Sequence, residues 1–400
     1  MLFIFFSAFV SCCALTQNKS RATLLLLFAC ICFPTGHAYS KIISLNGIYF
    51  YDFFTLTYLA ASIYRALDQK STFIVNSAAA IIVVVLNVFL LLFSLFFDNV
   101  GKFFIKDIRP ILNAAFFIAA TDLFFGSKIV LSDKKISILV MLAAIFSAIK
   151  YSAIYYGLYG FQDEYYEANS YRYIDGAAYF CAIYLIFAYF SRSDVKFNFW
   201  RFFAILSAVF VVFLANSRFV VFGILVCIVL YNSKSLKNFL YAVIFCFSLL
   251  ILFILVSSQI GAERILENMS FDGVLEQFDI RFSPAIELIN NFDAIELFFG
   301  HGAGTYFIIP WFEYRGLDVM HSNIDSAYLT YYVKYGVVGF IFLYYYAKIF
   351  VTNSVYATFY RIFLGIIYFV EAAQYQPFII GFVATLVFSL FGAIHDRRYR

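Results

Sequence analysis

The chain is a succession of long apolar segments joined by short polar ones, and few folds accept such a pattern. A helix that crosses a membrane needs about 20 mostly apolar residues, within a range of roughly 17–25. Thirteen segments of this character follow one another through the 400 residues. They are 2–16, 22–38, 47–66, 74–97, 110–126, 136–158, 174–190, 200–215, 219–232, 239–257, 327–347, 356–373 and 376–394.

Composition agrees with a membrane protein. Hydrophobic residues make up 64% of the chain and charged residues 13%. So few charged side chains could not cover the apolar surface of a soluble protein of this length. We therefore predict an all-α polytopic integral membrane protein with about 12–13 transmembrane helices.

The distribution of Lys and Arg predicts the orientation. If the C-terminal HDRRYR is cytoplasmic, the short connections on the same side hold 17 of the 28 basic residues, and such a bias is typical of the cytoplasmic face. Residues 1–257 then form transmembrane helices 1–10, and 258–326 form one long periplasmic loop. Residues 327–400 form helices 11–13 and a short cytoplasmic tail. VGKFFIKDIRP at 100–110 falls on the outer side although it contains three basic residues.

The long loop has its own internal pattern. It contains eleven acidic and three basic residues, a net charge of −8. Apolar spacing predicts two amphipathic helices, in AERILENM (262–269) and VLEQFDIRFSPAIELINNF (274–292). The run GHGAG at 300–304 lacks the Lys-Ser/Thr of a nucleotide-binding loop, so we interpret it as a backbone turn and His301 as structural. An irregular stretch around Pro310 follows.

A dense polar cluster, DVMHSNIDS at 318–326, ends the loop just before an apolar segment. Histidine titrates near neutral pH, so His321 suits a general base, and Asp325 has the spacing to orient it if the stretch is helical. The alternative is a helix N-terminus, because Ser322, Asn323 and Asp325 are all good capping residues. Capping explains the serine and the asparagine but not the histidine, and both interpretations stay open.

Arginines on the predicted outer side are candidates for anion binding. Arg218 lies in the turn between the segments 200–215 and 219–232, where it could hold a phosphate bidentately or anchor the helix ends at the interface. Arg281, on the second amphipathic helix, could bind an anion or simply be solvated. Arg172 and Arg109 could add positive potential near lipid headgroups or act as interfacial anchors.

The order of these features resembles the O-antigen polymerase and O-antigen ligase superfamily of bacterial envelope glycosyltransferases. The similar stretches are ANSRF at 215–219, the segment from Arg281 to Gly304, and HSNIDSAYLTYYVKYGVVGF at 321–340. The last is similar to a family ending with a His-Asn-like or Asp-Ser-like pair, a Tyr-Leu and G-x-x-G-F. The matching residues are His321, Asn323, Asp325, Ser326, Tyr328, Leu329 and Gly336 to Phe340.

The resemblance implies an enzyme of the bacterial inner membrane that acts at the periplasmic face without a cofactor or metal. It would transfer a growing glycan from undecaprenyl pyrophosphate to a new lipid-linked repeat unit. His321 is the implied catalytic base, with Asp325 as a rival. The implied substrate-binding residues are Arg218, Arg281, Arg172 and Asn323.

Two other functions remain as alternatives. A ligase would move the finished glycan onto lipid A-core, and a transporter or flippase would carry polysaccharide across the membrane. A transporter is expected to show paired interrupted helices in two related halves, and the sequence shows no such symmetry. The expected partners are undecaprenyl-pyrophosphate-linked glycans and membrane lipid, with a chain-length regulator protein as an optional third and no nucleic acid.

Overall fold

The structure, a computed structural model, describes about half of the chain. The described residues are 78–95, 103–105, 107, 133–156, 176–190, 198–215, 217–233, 235–259, 271–310, 313, 318–349, 362–363 and 365–367. Most of them are helical, which confirms the all-α expectation for this part of the chain. The apolar segments at 2–16, 22–38, 47–66, 110–126 and 376–394 lie outside the described residues, as do most of 356–373 and the amphipathic helix at 262–269.

The described elements follow the predicted apolar segments closely. The helices are α1 (Ala78–Ser94), α2 (Asp133–Tyr155), α3 (Gly176–Phe190), α4 (Phe199–Ala215), α5 (Arg218–Asn232), α6 (Leu236–Gln259), α7 (Phe271–Asn290), α8 (Ala294–Phe299) and α9 (Ala327–Ile349). Seven of them coincide with apolar segments, and α7 is the second predicted amphipathic helix. The short helix α8 was not expected from the sequence.

One described helix, Lys134–Ala153, is both long and apolar enough to cross a membrane. Four shorter apolar helices were found, at Gly176–Phe190, Phe199–Ala215, Phe219–Asn232 and Leu236–Ser248.

The predicted break between α4 and α5 is confirmed. Ser217 has an extended backbone, with φ −102° and ψ 108°, and its hydroxyl accepts a hydrogen bond from the Val220 amide. A serine in this position satisfies one of the amides that the first turn of a helix leaves without a partner. Arg218 is therefore the first residue of α5.

The helices pack in two sets. In the first, α3 is almost entirely buried and contacts α2, α4 and α5, while α6 packs against α5. In the second, α1, α7 and α8 all pack against α9. The helical residues 362–363 and 365–367 touch both sets, because Phe363 lies beside Gly223 of α5 and the Tyr328 hydroxyl of α9 lies beside Gly365.

The amphipathic helix α7 places its apolar side in the core of the second set. That core also receives side chains from α9 and from the segment that precedes it. Its buried members are Phe282, Ala285, Phe307, Ile309, Ile324 and Val333, with Leu288, Ile289, Phe292 and Leu329 packed against them. The prediction of a helix in this segment is thus confirmed, and its buried apolar residues contribute to this core.

A two-stranded antiparallel ladder joins α8 to α9. Strand β1 (Phe307–Ile308) pairs with β2 (Met320–His321), with Phe307 opposite His321 and Ile308 opposite Met320. The prediction of an irregular stretch around Pro310 was therefore incomplete, since Pro310 lies in the connection of this ladder. Two-residue strands carry too short an alternation to be recognised from sequence.

The helix α9 is not continuous, in contrast to the single helix expected at 327–347. Gly336 has φ 55° and ψ −145°, and its backbone interrupts the helix. Its Cα lies so close to the backbone of Phe298 and Phe299 that any Cβ would overlap with them. Gly300, with φ 69°, is equally close to the backbone of Lys334. The two glycines thus allow two backbone segments to cross in contact.

Replacing Gly336 by alanine is expected to destabilise the protein strongly. The backbone conformation at this position costs about 1–3 kcal/mol for a residue with a Cβ, and the overlap with Phe298 adds to that cost. The measurement is the thermal unfolding midpoint of the purified protein. Gly365→Ala is the matched control, because a Cβ there makes ordinary contact with Tyr328. Equal midpoints for the two variants would contradict the close crossing.

Candidate functional site

Two of the charged residues singled out from the sequence form an ion pair. Arg281 Nη1 lies 3.3 Å from Asp325 Oδ2, although the residues are separated by more than forty positions. The side chains are 37% and 45% exposed. The pair is therefore accessible to a ligand from solvent, and a second anion could reach the guanidinium without unfolding the protein.

The core of the second helix set fixes the backbone on both sides of this pair. Phe282, the residue after Arg281, is buried in that core. Ile324, the residue before Asp325, is buried in it as well. The two charged side chains thus extend from adjacent positions at the edge of a packed core, so their separation is set by the packing.

The polar cluster around His321 adopts a different local structure from the one expected. His321 lies in β2, opposite Phe307, and residues 322–326 precede the first turn of α9. The helical spacing through which Asp325 could orient His321 is not formed, because residues 321–326 are not helical and the Asp325 carboxylate faces Arg281. Asn323 accepts a hydrogen bond from the Ser322 hydroxyl at 3.2 Å.

The N-terminus of α9 is capped by a residue other than those expected. The Ser326 hydroxyl accepts a hydrogen bond from the Leu329 amide at 3.4 Å. The Thr330 hydroxyl accepts one from the Ile324 amide at 3.3 Å. Ser326, directly before α9, thus has the capping role that was expected of Ser322, Asn323 or Asp325.

The glycine turn, residues 300–304, donates all five of its backbone amides to other parts of the protein. The acceptors are a carbonyl of α8, two carbonyls of α9 just before Gly336, and the side chains of Ser94 and Asp107. The donors and acceptors are Gly300 to Glu296 O (2.7 Å), His301 to Val333 O (2.9 Å), Gly302 to Lys334 O (2.8 Å), Ala303 to Ser94 Oγ (2.9 Å) and Gly304 to Asp107 Oδ2 (2.8 Å). The interpretation of this run as a backbone turn is confirmed, and none of these amides is left for a phosphate.

His301 links the glycine turn to α8. Its Nδ1 lies 3.1 Å from Glu296 Oε1, and its ring stands edge-on to Phe292. The other carboxylate oxygen of Glu296 accepts the Asp293 amide in a capping box at the start of α8. These contacts support the structural interpretation of His301.

A buried ion pair beneath the glycine turn was missed by the sequence analysis. Lys334 Nζ lies 2.6 Å from Asp107 Oδ1, and the side chains are 2% and 1% exposed. Lys334 is the one charged residue between Asp325 and Lys348. An isolated lysine in such an apolar stretch is a recognised indication of a buried functional or structural charge, and it could have been noticed.

The remaining predicted anion-binding arginines are not joined to this site by the described contacts. Arg218 is the first residue of α5, and the structure describes its backbone but not its side chain. Arg172 and Arg109 lie outside the described residues. Among the described residues, no group of three or more His, Cys, Asp or Glu side chains could hold a metal ion.

Comparison with known proteins assigns a family. Residues 113–397 match the model of DUF6369, a family of unknown function. The chain belongs to this family. The matched region includes Arg281, His321, Asp325 and Lys334 but not Asp107. No curated protein and no solved structure matches the chain.

Neutralising either Arg281 or Asp325 is expected to leave the protein folded. Half-exposed ion pairs contribute about 0.2–1 kcal/mol, so Arg281→Gln and Asp325→Asn should each change the free energy of unfolding by less than about 1 kcal/mol. Thermal or chemical unfolding of the purified variants measures this. A loss of several kcal/mol in either variant would show that the pair supports the core and is not a free site.

Proposed function

We propose that this protein is a multi-pass enzyme of the bacterial inner membrane that polymerises polysaccharide repeat units at the periplasmic face. It would transfer a growing glycan from undecaprenyl pyrophosphate to a new lipid-linked repeat unit. The observation that carries the proposal is the accessible Arg281–Asp325 pair at the start of an apolar helix, with His321 and Asn323 a few residues before Asp325 in the sequence. A substrate with a lipid tail and a charged, hydrated head needs such a boundary.

Exposed apolar surface supports a membrane location. Large apolar side chains are exposed along α1, α4 and α6, where water would be an unfavourable environment. They include Ile81, Val85, Val88, Phe89 and Leu92 of α1, Phe202, Phe203, Leu206, Val209 and Phe210 of α4, and Leu240, Tyr241, Ile244, Phe245 and Phe247 of α6. Acyl chains would cover these side chains without a protein partner.

Contacts between the predicted outer segments support the proposed topology. The Phe103 ring lies 5.8 Å from the Tyr306 ring, and the Asp107 carboxylate accepts the Gly304 amide. Both residues of the first segment belong to VGKFFIKDIRP, which the distribution of basic residues alone assigned weakly. Two segments in contact lie on the same side of a membrane, as the topology requires.

The turn at Arg218 also fits this arrangement. Phe363 contacts Gly223, five residues after Arg218, and Gly365, two residues further along, lies beside Tyr328, three residues after Asp325. At 1.5 Å per helical residue, both helix starts lie within about two turns of the same stretch. Helices α5 and α9 thus share a neighbouring segment close to their N-termini, which supports the proposal that Arg218 and Arg281 serve one substrate.

In the proposed reaction a hydroxyl of the acceptor attacks the anomeric carbon of the donor glycan. The bond from that carbon to the pyrophosphate oxygen breaks, and the pyrophosphate leaves with the bonding electrons. Arg281 would neutralise the charge that develops on the leaving group, so that no general acid is needed. His321 would accept the proton of the attacking hydroxyl, because Asp325 is already engaged by Arg281.

A transporter is the second candidate function, and one observation favours it. The helix α9 is interrupted at Gly336, and a buried ion pair lies beside the interruption. Interrupted helices with buried charges line the substrate sites of many transporters. Within the described residues α9 is the one helix with such an interruption, whereas the inverted repeats of transporters pair two.

Surface polysaccharide from mutant strains tests the polymerase proposal. We expect deletion of the gene to leave core carrying a single repeat unit, with the ladder lost, and Arg281→Gln to reduce chain extension by about 10²–10³-fold. Gel electrophoresis of the polysaccharide gives the result. Glu287→Gln, an exposed change on the same helix, is the matched control.

The ligase and transporter alternatives predict different polysaccharide patterns in the same assay. Bare core with accumulated lipid-linked polymer would indicate the ligase. Lipid-linked repeat units that accumulate on the cytoplasmic side would indicate a transporter. An unchanged ladder would exclude an O-antigen polymerase and direct the same assay to capsule or exopolysaccharide.

The pyrophosphate affinity of the purified protein tests the role of Arg281 directly. Asp325 competes for the guanidinium, so Asp325→Asn should tighten pyrophosphate binding by up to about fivefold, the equivalent of 1 kcal/mol for an exposed pair. Arg281→Gln should weaken it. Calorimetric titration with inorganic pyrophosphate measures both changes, and unaltered binding in the two variants would remove Arg281 from the site.

A further inference from the structure

The ion pair of Lys334 with Asp107 is buried, unlike the pair of Arg281 with Asp325. Its atoms are 2.6 Å apart, and both side chains are almost completely inaccessible. Removing two charges from water costs free energy that their attraction roughly offsets, and apolar residues of similar volume often give an equally stable protein. Net stability therefore gives little reason for a lysine and an aspartate here. A fixed geometry is the better-supported role of such pairs.

The pair fixes the segment between Gly302 and Phe307. Asp107 binds Lys334 through Oδ1 and accepts the Gly304 amide through Oδ2. The Lys334 carbonyl accepts the Gly302 amide, and its ammonium lies 5.9 Å from the centre of the Phe307 ring. One lysine thus contacts both ends of this segment, and its carboxylate partner contacts the middle.

Phe307 connects this fixed segment to the candidate site. In the ladder its backbone is paired with His321. In the core its side chain is grouped with Phe282, the neighbour of Arg281, and with Ile324, the neighbour of Asp325. A displacement of Phe307 would therefore move the proposed base and the proposed anion-binding arginine relative to each other.

We infer that Lys334 and Asp107 are positioning residues, which set the placement of His321 relative to the Arg281–Asp325 pair through Phe307. This inference rests on the proposed function for its catalytic consequence. Because both side chains are buried, we expect neither to touch the substrate. A displacement of about 1 Å of a catalytic group can lower the rate about 10²-fold, so the pair can control activity from beneath the site.

The test uses the neutral, nearly isosteric double variant Asp107→Asn/Lys334→Met. Each single variant leaves one buried charge without its partner and is expected to accumulate poorly. The double variant should recover the wild-type thermal midpoint and monodisperse elution, while kcat for glycan extension falls about 10²-fold with KM unchanged. Recovery of kcat together with stability would overturn the inference, because the pair would then be structural alone.

Two further measurements keep the test decisive. If the double variant does not fold, Phe307→Leu replaces it. This change keeps the ion pair but removes the aromatic ring that connects Lys334 to the ladder and the core. A wild-type kcat in that variant would overturn the inference. If the wild type shows no glycan extension, the proposed function fails separately. Hydrogen exchange then decides: the double variant should lose protection of the amides of β1 and β2 while α7 keeps its own, and unchanged exchange in the ladder would overturn the inference.

Discussion

The crossing of two backbone segments, at Gly300 and at Gly336, is the constraint on which the second set of helices depends. Neither position has room for a Cβ, since each glycine lies against the main chain of the other segment. This close approach brings the amides of the glycine turn within reach of the carbonyls of α9. The ladder, the buried ion pair and the start of α9 are all arranged around this crossing.

Much of the helical framework could be predicted from the sequence because it depends on local patterns. An apolar run of about 15 residues or more favours a helix, because strands are shorter. Ser217 has the hydroxyl that caps α5 after the break. The amphipathic spacing in α7 is likewise a local pattern, so this helix could be predicted without knowledge of what it packs against. The break in α9 was missed, because the sequence shows Gly336 but not the backbone of Phe298 that lies against it.

The residues of the candidate site were selected from the sequence, whereas the contact between two of them could not be predicted. Arg281, His321 and Asp325 were chosen for their chemistry, and their chemistry does not say which of them meet. The pairing of Arg281 with Asp325 depends on how α7 packs against α9, which is a tertiary property. The same reason explains why Asp107 was not recognised: its partner Lys334 is more than two hundred residues away, and Asp107 alone resembles any polar residue of a connection.

The glycine turn also serves as a cap made from a distant part of the chain. A helix that ends leaves its last carbonyls without amide donors, and most helices solve this with the residues that follow directly. In α9 the carbonyls of Val333 and Lys334, just before the interruption, are satisfied by His301 and Gly302 instead. The first segment of α9 can therefore be completed only when the glycine turn is in place. It should open and close together with the turn and the ladder as one cooperative unit, whereas the helical segment after Gly336 does not depend on that cap.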